Sequence, residues 1–453
     1  MATRRQFLGA ALVTGFPTIV PSRVFGAAAP SNLIQVGQIG CGRIARASEF
    51  PGVFRHAAVA RFVAVCDLDS VRLGDAKQLV ETTYGQKASV RTYEDYREML
   101  EDKSIDAVSI STPDHWHAQP AMEAVLAGKD VYLQKPASLT IREGRQMADA
   151  VKKTGRILQL GSQQRSELQF RLACELVRNG RLGKLKEIYI GLPEDPSGNE
   201  EPRMPVPANL NYDKWLGSTP SVYYTEKRVH PQSSDLTARY DRPGWLRCEQ
   251  FGAGMITGWG AHHIDIAHWA MNTEYSGPAE ILATGQFPTK GLWDVHGPYH
   301  ARLRYANGVT MFISEKYENG IRFIGEDGWI WVTRGRFKFG EPAEGQRSSV
   351  LDASDPRMIR IGIKDNELHL HASPNNDHHL DWLTSIRNRM EPAAPAEVGH
   401  RSCTACLLTH AGMKLGRELK WDPAVERFLN DDEANALRSR PQRKPYGTDY
   451  VKA

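Results

Sequence analysis

From Leu33 onward the chain alternates short apolar runs with stretches of helical spacing. "LIQVGQIG" reads as a strand, Arg43 to about Ala57 as a helix, "RFVAVCD" as a second strand, and the residues to about Tyr84 as another helix. "DAVSIST", "DVYLQKP" and "RILQLGS" are further apolar runs, each set off by a helical stretch. Such alternation predicts a parallel sheet, because the crossover helices cover both of its faces. After about Ser162 the pattern changes. "LKEIYIGL", "AEILATGQF", "YHARLRYANGVTMFISEKY" and "WIWVTRGRFKF" are strand candidates separated by turns, and Asn307-Gly308 between two of them is a hairpin signal. The expected class is α/β, a doubly wound domain followed by a second region rich in turn-linked strands.

The first strand runs into "GQIGCGRIA". Gly40, Gly42 and Ala45 give GxGxxA between strand and helix, with Arg43 and Ile44 inside the turn. Gly40 permits the tight turn, Gly42 lets backbone approach a pyrophosphate, and Ala45 lets helix and strand pack closely. Asp67 ends the second strand, where a carboxylate accepts hydrogen bonds from ribose hydroxyls and repels a 2′-phosphate. Leu68 and Asp69 add no cation, so the pattern favours NAD over NADP.

A chain of 453 residues fits two domains plus extras. No internal apolar run reaches the roughly 20 residues of a membrane helix. The formal charge is +4, and three of the cations (Arg4, Arg5 and Arg23) lie in the first 28 residues, which hold no acid. The remainder is near neutral, which gives no electrostatic case for nucleic acid or an anionic membrane. "TRRQFLGAALVTGFPTIV" followed by "VFGAAAP" resembles a twin-arginine export signal over 1–28, which implies a periplasmic or extracytoplasmic protein that crosses the membrane already folded. Of six cysteines, Cys403 and Cys406 form a CxxC within a helix-like stretch; with no second CxxC they read as small buried residues.

At the fifth strand the chain becomes specific. "STPDHWHAQPAMEAVLAGKDVYLQKPASLTIREGRQM" resembles the glucose–fructose oxidoreductase / inositol dehydrogenase / rhizopine-catabolism (Gfo/Idh/MocA) family. The matching features are Thr112-Pro113, Gly128-Lys129 and Gln134-Lys135-Pro136, together with a downstream stretch that aligns Gly258, His262 and Asp265. The resemblance runs from about Leu33 to the early 400s. It implies a Rossmann domain over 29–160, an α/β domain with a large, mainly antiparallel sheet over 161–400, and a terminal helix and tail over 401–453. It further implies a homodimer or homotetramer built through the second domain's sheet.

Resemblance and position together assign the site. Lys135 ends a strand on the ligand-binding side of a parallel sheet, where its ammonium can donate to a reacting oxygen. His262 is a second proton carrier, and Asp265, about 60° further round a helix, is expected to face the same cleft. Thr112, Pro113, His117 and Gln134 join the cofactor side by analogy. The family has carboxylates where this chain has Gln134 and Gly258. Arg165 after strand six, His263, and the loop residues Tyr223, Arg228, His230 and Trp245 are candidate sugar contacts, since hydroxyls need hydrogen bonds and sugar faces stack on rings. No metal is expected. His262, Asp265 and His268 share a stripe without the i, i+4 histidine spacing of helical zinc sites, and His369, His371, His378 and His379 suit strand and helix-cap roles.

These residues point to an NAD-dependent oxidoreductase acting on a sugar, polyol or glycoside hydroxyl. Export argues for cofactor held tightly and recycled on the enzyme. The alternative enzyme is an NAD-dependent glycosidase working by oxidation, elimination, hydration and reduction. The non-catalytic alternative is a sugar- or NAD-sensing protein.

Overall fold

The computed structural model describes residues 33–85, 89–335 and 350–452. The export-signal expectation over 1–28, and the end of the strand candidate "WIWVTRGRFKF", lie outside the described residues.

Six strands form the first sheet: β1 (Ile34–Ile39), β2 (Ala60–Cys66), β3 (Arg91–Tyr93), β4 (Ala107–Ile110), β5 (Asp130–Leu133) and β6 (Leu158–Leu160). All pair parallel, in the order β3-β2-β1-β4-β5-β6. The order reverses between β1 and β4, which opens a crevice at the carboxyl ends of those strands. β4 and β5 are buried along their whole length, as a sheet covered on both faces requires. The helix expected from Arg43 to about Ala57 is shorter and irregular: a π-helical turn over Ala45–Glu49 runs into Phe50–Phe54, with Pro51 at its start. Proline lacks an N–H, so the widened turn before it loses no hydrogen bond to it. One face of this sheet is covered from late in the chain. Trp382, Leu383 and Ile386 of the His378–Asn388 helix pack with Phe50, Val53, Phe62 and Tyr132.

Nine strands form the second sheet: β7 (Leu185–Gly191), β8 (Glu280–Gly285), β9 (Tyr299–Arg304), β10 (Thr310–Ser314), β11 (Gly320–Gly325), β12 (Trp329–Val332), β13 (Leu351–Ala353), β14 (Leu419–Asp422) and β15 (Arg427–Phe428). The order is β13-β12-β11-β7-β10-β9-β8-β14-β15, antiparallel except where β7 lies parallel to β10. Asn307-Gly308 makes the β9–β10 hairpin, with Gly308 at φ +88°. The residues after 400, expected as a helix and tail, also carry β14 and β15, which extend this sheet. The inner face takes alternate residues such as Ile281, Leu303, Met311 and Phe323, all buried, and the helices Gly260–Met271 and Ala396–Leu415 share their core. Gly412 makes the close approach possible, since a Cβ there would stand 3.1 Å from both Ile281 and Ala283. Each fully buried Leu or Ile contributes roughly 1.5–3 kcal/mol. The last residues strap back onto the first domain, where the Gly447 N–H donates to Gln119 at 2.6 Å and the Tyr446 ring meets Trp116, while Arg443 bonds Asp213 of the second.

All six cysteines are free and buried. No described helix is long and apolar enough to cross a membrane.

Candidate active site

A cavity of roughly 540 Å³ opens at the carboxyl ends of β1, β2, β4 and β5 and continues under the start of the Gly260–Met271 helix. Its nucleotide end is built by the β1 turn. Gly40 has φ +81°, and a Cβ there would stand 2.9 Å from the Ser111 carbonyl and the Thr112 N–H. Gly42 has nothing within 4 Å of a built Cβ, so the turn leaves open the space a diphosphate takes, with Arg43 and Ile44 beside it. Asp67 closes β2. Its carboxylate accepts from the Cys41 N–H at 2.7 Å and the Asp69 N–H at 2.8 Å; burial raises its proton affinity and these bonds oppose that. The turn, the open face at Gly42 and a half-buried carboxylate lining the groove fit a dinucleotide.

The Asp69 neighbourhood is richer than the sequence suggests. Burial pushes the Asp69 carboxyl up, yet hydrogen bonds from His230, Asn209 and Gln232 hold it well below the usual range. Arg72 pairs with it at 3.0 Å and stacks with Tyr240. Arg239 lines the cavity too, bound to Asp75. His230 therefore sits at the nucleotide end, with Nε2 3.0 Å from Asp69.

At the opposite end, the chain after β4 supplies Thr112, Pro113, Asp114 and His117. The Thr112 hydroxyl donates to the Trp116 carbonyl at 2.7 Å. The His117 ring lies between the carbonyls of Pro136 (2.6 Å) and Thr112 (2.9 Å), and burial lowers its pKa to about 4 against their pull. Gln134 and Lys135 follow β5 directly. The Gln134 amide donates to Glu49 Oε1 at 2.7 Å, and its oxygen accepts from the Lys135 N–H. Glu49 is the buried carboxylate of the π-helical turn; burial raises its pKa to about 7, against bonds from Gln134, Ser111 and Ser48. Lys135 reaches the cavity, where burial lowers its proton affinity, Asp114 raises it, and Arg334, Arg242 and Arg43 lower it further. Asp114 is pushed up to about 7 by burial, with Lys135 opposing.

His262 lines the same end, beside Gly258 and Trp259. Burial first, then Arg334 and Lys135, hold it well below the ordinary histidine value, so it is a neutral acceptor at pH 7. Its Nδ1 has no hydrogen-bond partner among the described residues. A Cβ on Gly258 would meet only the flexible end of Met255, at 3.1 Å.

Several expected residues lie elsewhere. Asp265 does not share the cleft with His262. Its two oxygens accept from Arg165 at 2.6 and 2.9 Å and one also from Ser402 at 2.8 Å, with 1% of the side chain exposed. Arg165 is thereby a buried partner rather than a sugar contact, and it also binds Glu274 at 2.8 Å. The 60° offset from His262 is enough to turn the carboxylate into this forked pair. His263 points away, to Gln164 and Asn319. Tyr223 and Arg228 pack on each other, the guanidinium 4.3 Å from the ring centroid, in a separate surface recess. Trp245 does line the cavity.

The sequence pattern does not single out Asp114, Glu49, Arg242 or Arg334. Asp114 stands inside the quoted "STPDHWH" and could have been found there; the others are brought in by long-range folding. Among the described residues no three His, Cys, Asp or Glu side chains are grouped to hold a metal. His378 bonds Ser166 and the Leu160 carbonyl, His379 stacks on Tyr132, and His371 pairs with Asp381.

A parallel sheet in this strand order, a glycine turn at its switch point, and a lysine and histidine over the same crevice define a dinucleotide-binding oxidoreductase fold. The chain belongs to the Gfo/Idh/MocA oxidoreductase family: residues 34–162 match the family's NAD-binding Rossmann fold, and 197–335 with 353–448 match its C-terminal alpha/beta domain. Among curated relatives it resembles the glycosyl hydrolase family 109 protein 1 of Shewanella sp. (strain MR-4), 31% identical over 172 residues, 37% of this chain and 36% of the relative. The matched stretch thus spans about a third of that relative's length. Among solved structures it resembles the WlbA dehydrogenase from Bordetella pertussis in complex with NADH and UDP-GlcNAcA (TM-score 0.60, 18% identity, 86% of this chain and 99% of that one). It also resembles the aldose-aldose oxidoreductase from Caulobacter crescentus (TM-score 0.56, 17% identity, 86% and 99%).

Proposed function

We propose that the protein is an NAD-dependent oxidoreductase that acts on a hydroxyl of a sugar, polyol or glycoside. The observation that carries this is the meeting of Lys135 and His262 in one cavity with the dinucleotide turn. Bound NAD supplies the hydride acceptor. The chain's own residues handle the proton. Lys135, with lowered proton affinity, and neutral His262 can each accept it from the hydroxyl as a hydride leaves the same carbon. Asp114 balances the ammonium once Lys135 is charged.

Export by the twin-arginine route to the periplasm is part of the proposal, supported by Arg4 and Arg5 before a modest apolar stretch. An exported enzyme has no pool of free NAD, so the cofactor is retained and re-reduced or re-oxidised in place. Homo-oligomerisation through the outer face of the second sheet is proposed as well. That face carries half-buried Tyr189, Phe312, Trp329 and Trp331, with Tyr189 stacked on Phe312 at 5.1 Å. Phe312→Glu should shift the particle mass downward in mass photometry.

A second reading, transient oxidation within an NAD-dependent glycosidase, is favoured by the likeness to a glycosyl hydrolase family 109 protein. Native mass spectrometry of purified protein tests the shared premise: bound NAD supports both readings, and no affinity for NAD(H) sinks both. Aryl-glycoside cleavage without net NADH selects the glycosidase. Turnover unchanged in Lys135→Met and His262→Ala would favour a non-catalytic sensor.

A further inference from the structure

The cavity that holds Lys135 is rich in guanidinium groups, with Asp114, Glu167 and Asp241 also in its lining. Arg43, Arg242 and Arg334 all bear on the Lys135 ammonium, and Asp114 is the carboxylate that opposes them. Arg43 sits in the phosphate-binding turn, so the cofactor's diphosphate accounts for it. The other two have no such account. Arg334 follows β12, is exposed, stands over Trp259 with Cζ 4.9 Å from the ring centroid, and makes a loose ion pair with Glu167 at 3.6 Å. It is close enough to His262 to be felt there. Arg242 comes from the loop before Trp245. It is an exposed residue lining the cavity, and its polar contact is from Nη2 to the Met255 sulfur at 3.4 Å. Neither guanidinium is hydrogen-bonded to a carboxylate among the described residues, whereas Arg72 and Arg239 at the nucleotide end are.

Two guanidiniums that line the cavity near a lysine, one loosely paired with a carboxylate and the other in contact with a thioether, attract an anion to this end of the cleft. A carboxylate matches the guanidinium fork and forms strong charge-assisted bonds. We propose that the substrate is a sugar acid or a glycoside of one, and that Arg334 and Arg242 hold its carboxylate. Anchored there, the acid fixes the ring so that one hydroxyl lies at Lys135 and His262. The two arginines thus set specificity, and a neutral sugar lacks the anchor. This inference rests on the oxidoreductase reading above.

The test is calorimetric titration of the NAD-loaded protein with D-glucuronate, D-galacturonate and their methyl glycosides. The matching uronamides, of similar shape without charge, and D-glucose serve as controls. The acids should bind at least about tenfold more tightly than the amides, which is about 1.4 kcal/mol. Arg334→Gln and Arg242→Gln should each remove most of that preference, and Arg334→Lys should keep part of it. NAD content is measured in every sample, so lost cofactor is not read as lost acid recognition. Equal binding of acid and amide, no binding of any acid, or an unchanged preference in both glutamine variants overturns the proposal. Oxidation of neutral sugars with no preference for acids overturns it and leaves the oxidoreductase reading standing, whereas an inability to bind NAD defeats that reading itself.

Discussion

Asp114 and Lys135 face one cavity, and each counteracts the effect of burial on the other. Burial pushes the carboxyl up to about 7 and the ammonium down, and their mutual attraction opposes both shifts. Because each feels the other's charge, they titrate as a pair rather than as two separate groups. Neutralising Asp114 removes the attraction that raises Lys135. In Asp114→Asn the lysine loses its proton at lower pH, so the acid limb of the kcat/KM profile for alcohol oxidation should move to lower pH. A correctly placed base contributes about 10²–10⁴-fold, and the variant should lose only part of that. An unmoved acid limb would show that Lys135 is not the base the profile reports.

Stability should respond to pH at Glu49, whose pKa is raised from 4.5 to about 7, chiefly by burial. A carboxyl with a raised folded value contributes stability that is full below its unfolded pKa, and the contribution is lost as pH rises through the folded one. Replacing it by the neutral isostere removes that loss. The advantage of Glu49→Gln over the natural protein should be absent near pH 4 and grow through pH 7, to roughly 3 kcal/mol at most. The amide oxygen introduced by this substitution can still accept from Gln134, so packing is kept. Thermal melts of cofactor-free protein at a series of pH values check this; a pH-independent difference between the two proteins would contradict it.

At Asp265, structure and chemistry can be separated. Its carboxylate is bound by buried Arg165, so Asp265→Ala leaves a buried guanidinium with only Glu274 as ion-pair partner among the described residues. Breaking a buried pair in this way costs about 3–5 kcal/mol. Denaturant unfolding should show that loss. Variant protein kept folded by bound NAD should retain the pH profile of the natural enzyme, because Asp265 does not line the cavity. A changed profile in folded protein would return Asp265 to the proton path.

This pair also marks the limit of what could be read in the chain. The parallel sheet, its phosphate turn, Asp67 and Lys135 were legible because each depends on local spacing: a strand, then a glycine pattern, then a strand end. The hairpin at Asn307-Gly308 was legible for the same reason. Asp265 was misplaced because helical spacing gives an angle and says nothing of what waits there; its partner lies 100 residues away. Glu49 and Gln134 meet across 85 residues, so the loss of a carboxylate at 134 could be seen while the carboxylate behind it could not. β3 and β13 have three residues each and β15 has two, too short for a period to register. Arg334 and Arg242 were passed over because nothing local distinguishes a cavity arginine from a surface one.

Gly258 offers the most direct intervention, since it lines the cavity four residues before His262. The family's carboxylate stands at this position. A Cβ here meets only the Met255 methyl at 3.1 Å, a flexible end that can move, so Gly258→Asp should fold. The new charge would sit near a histidine whose proton affinity is depressed by burial, by Arg334 and by Lys135. An opposite charge favours the protonated form, so the His262 pKa should rise towards its ordinary value. A stronger base helps the oxidation of an alcohol at high pH and is blocked by its own proton at low pH. The variant should therefore show an acid limb at higher pH with a maximal rate at least equal to that of the natural protein. The shift can be followed by the pH dependence of kcat and by the His262 ring resonances in proton NMR. If those resonances titrate as they do in the natural protein, the space beside Gly258 is not coupled to His262, and the glycine only makes room for substrate.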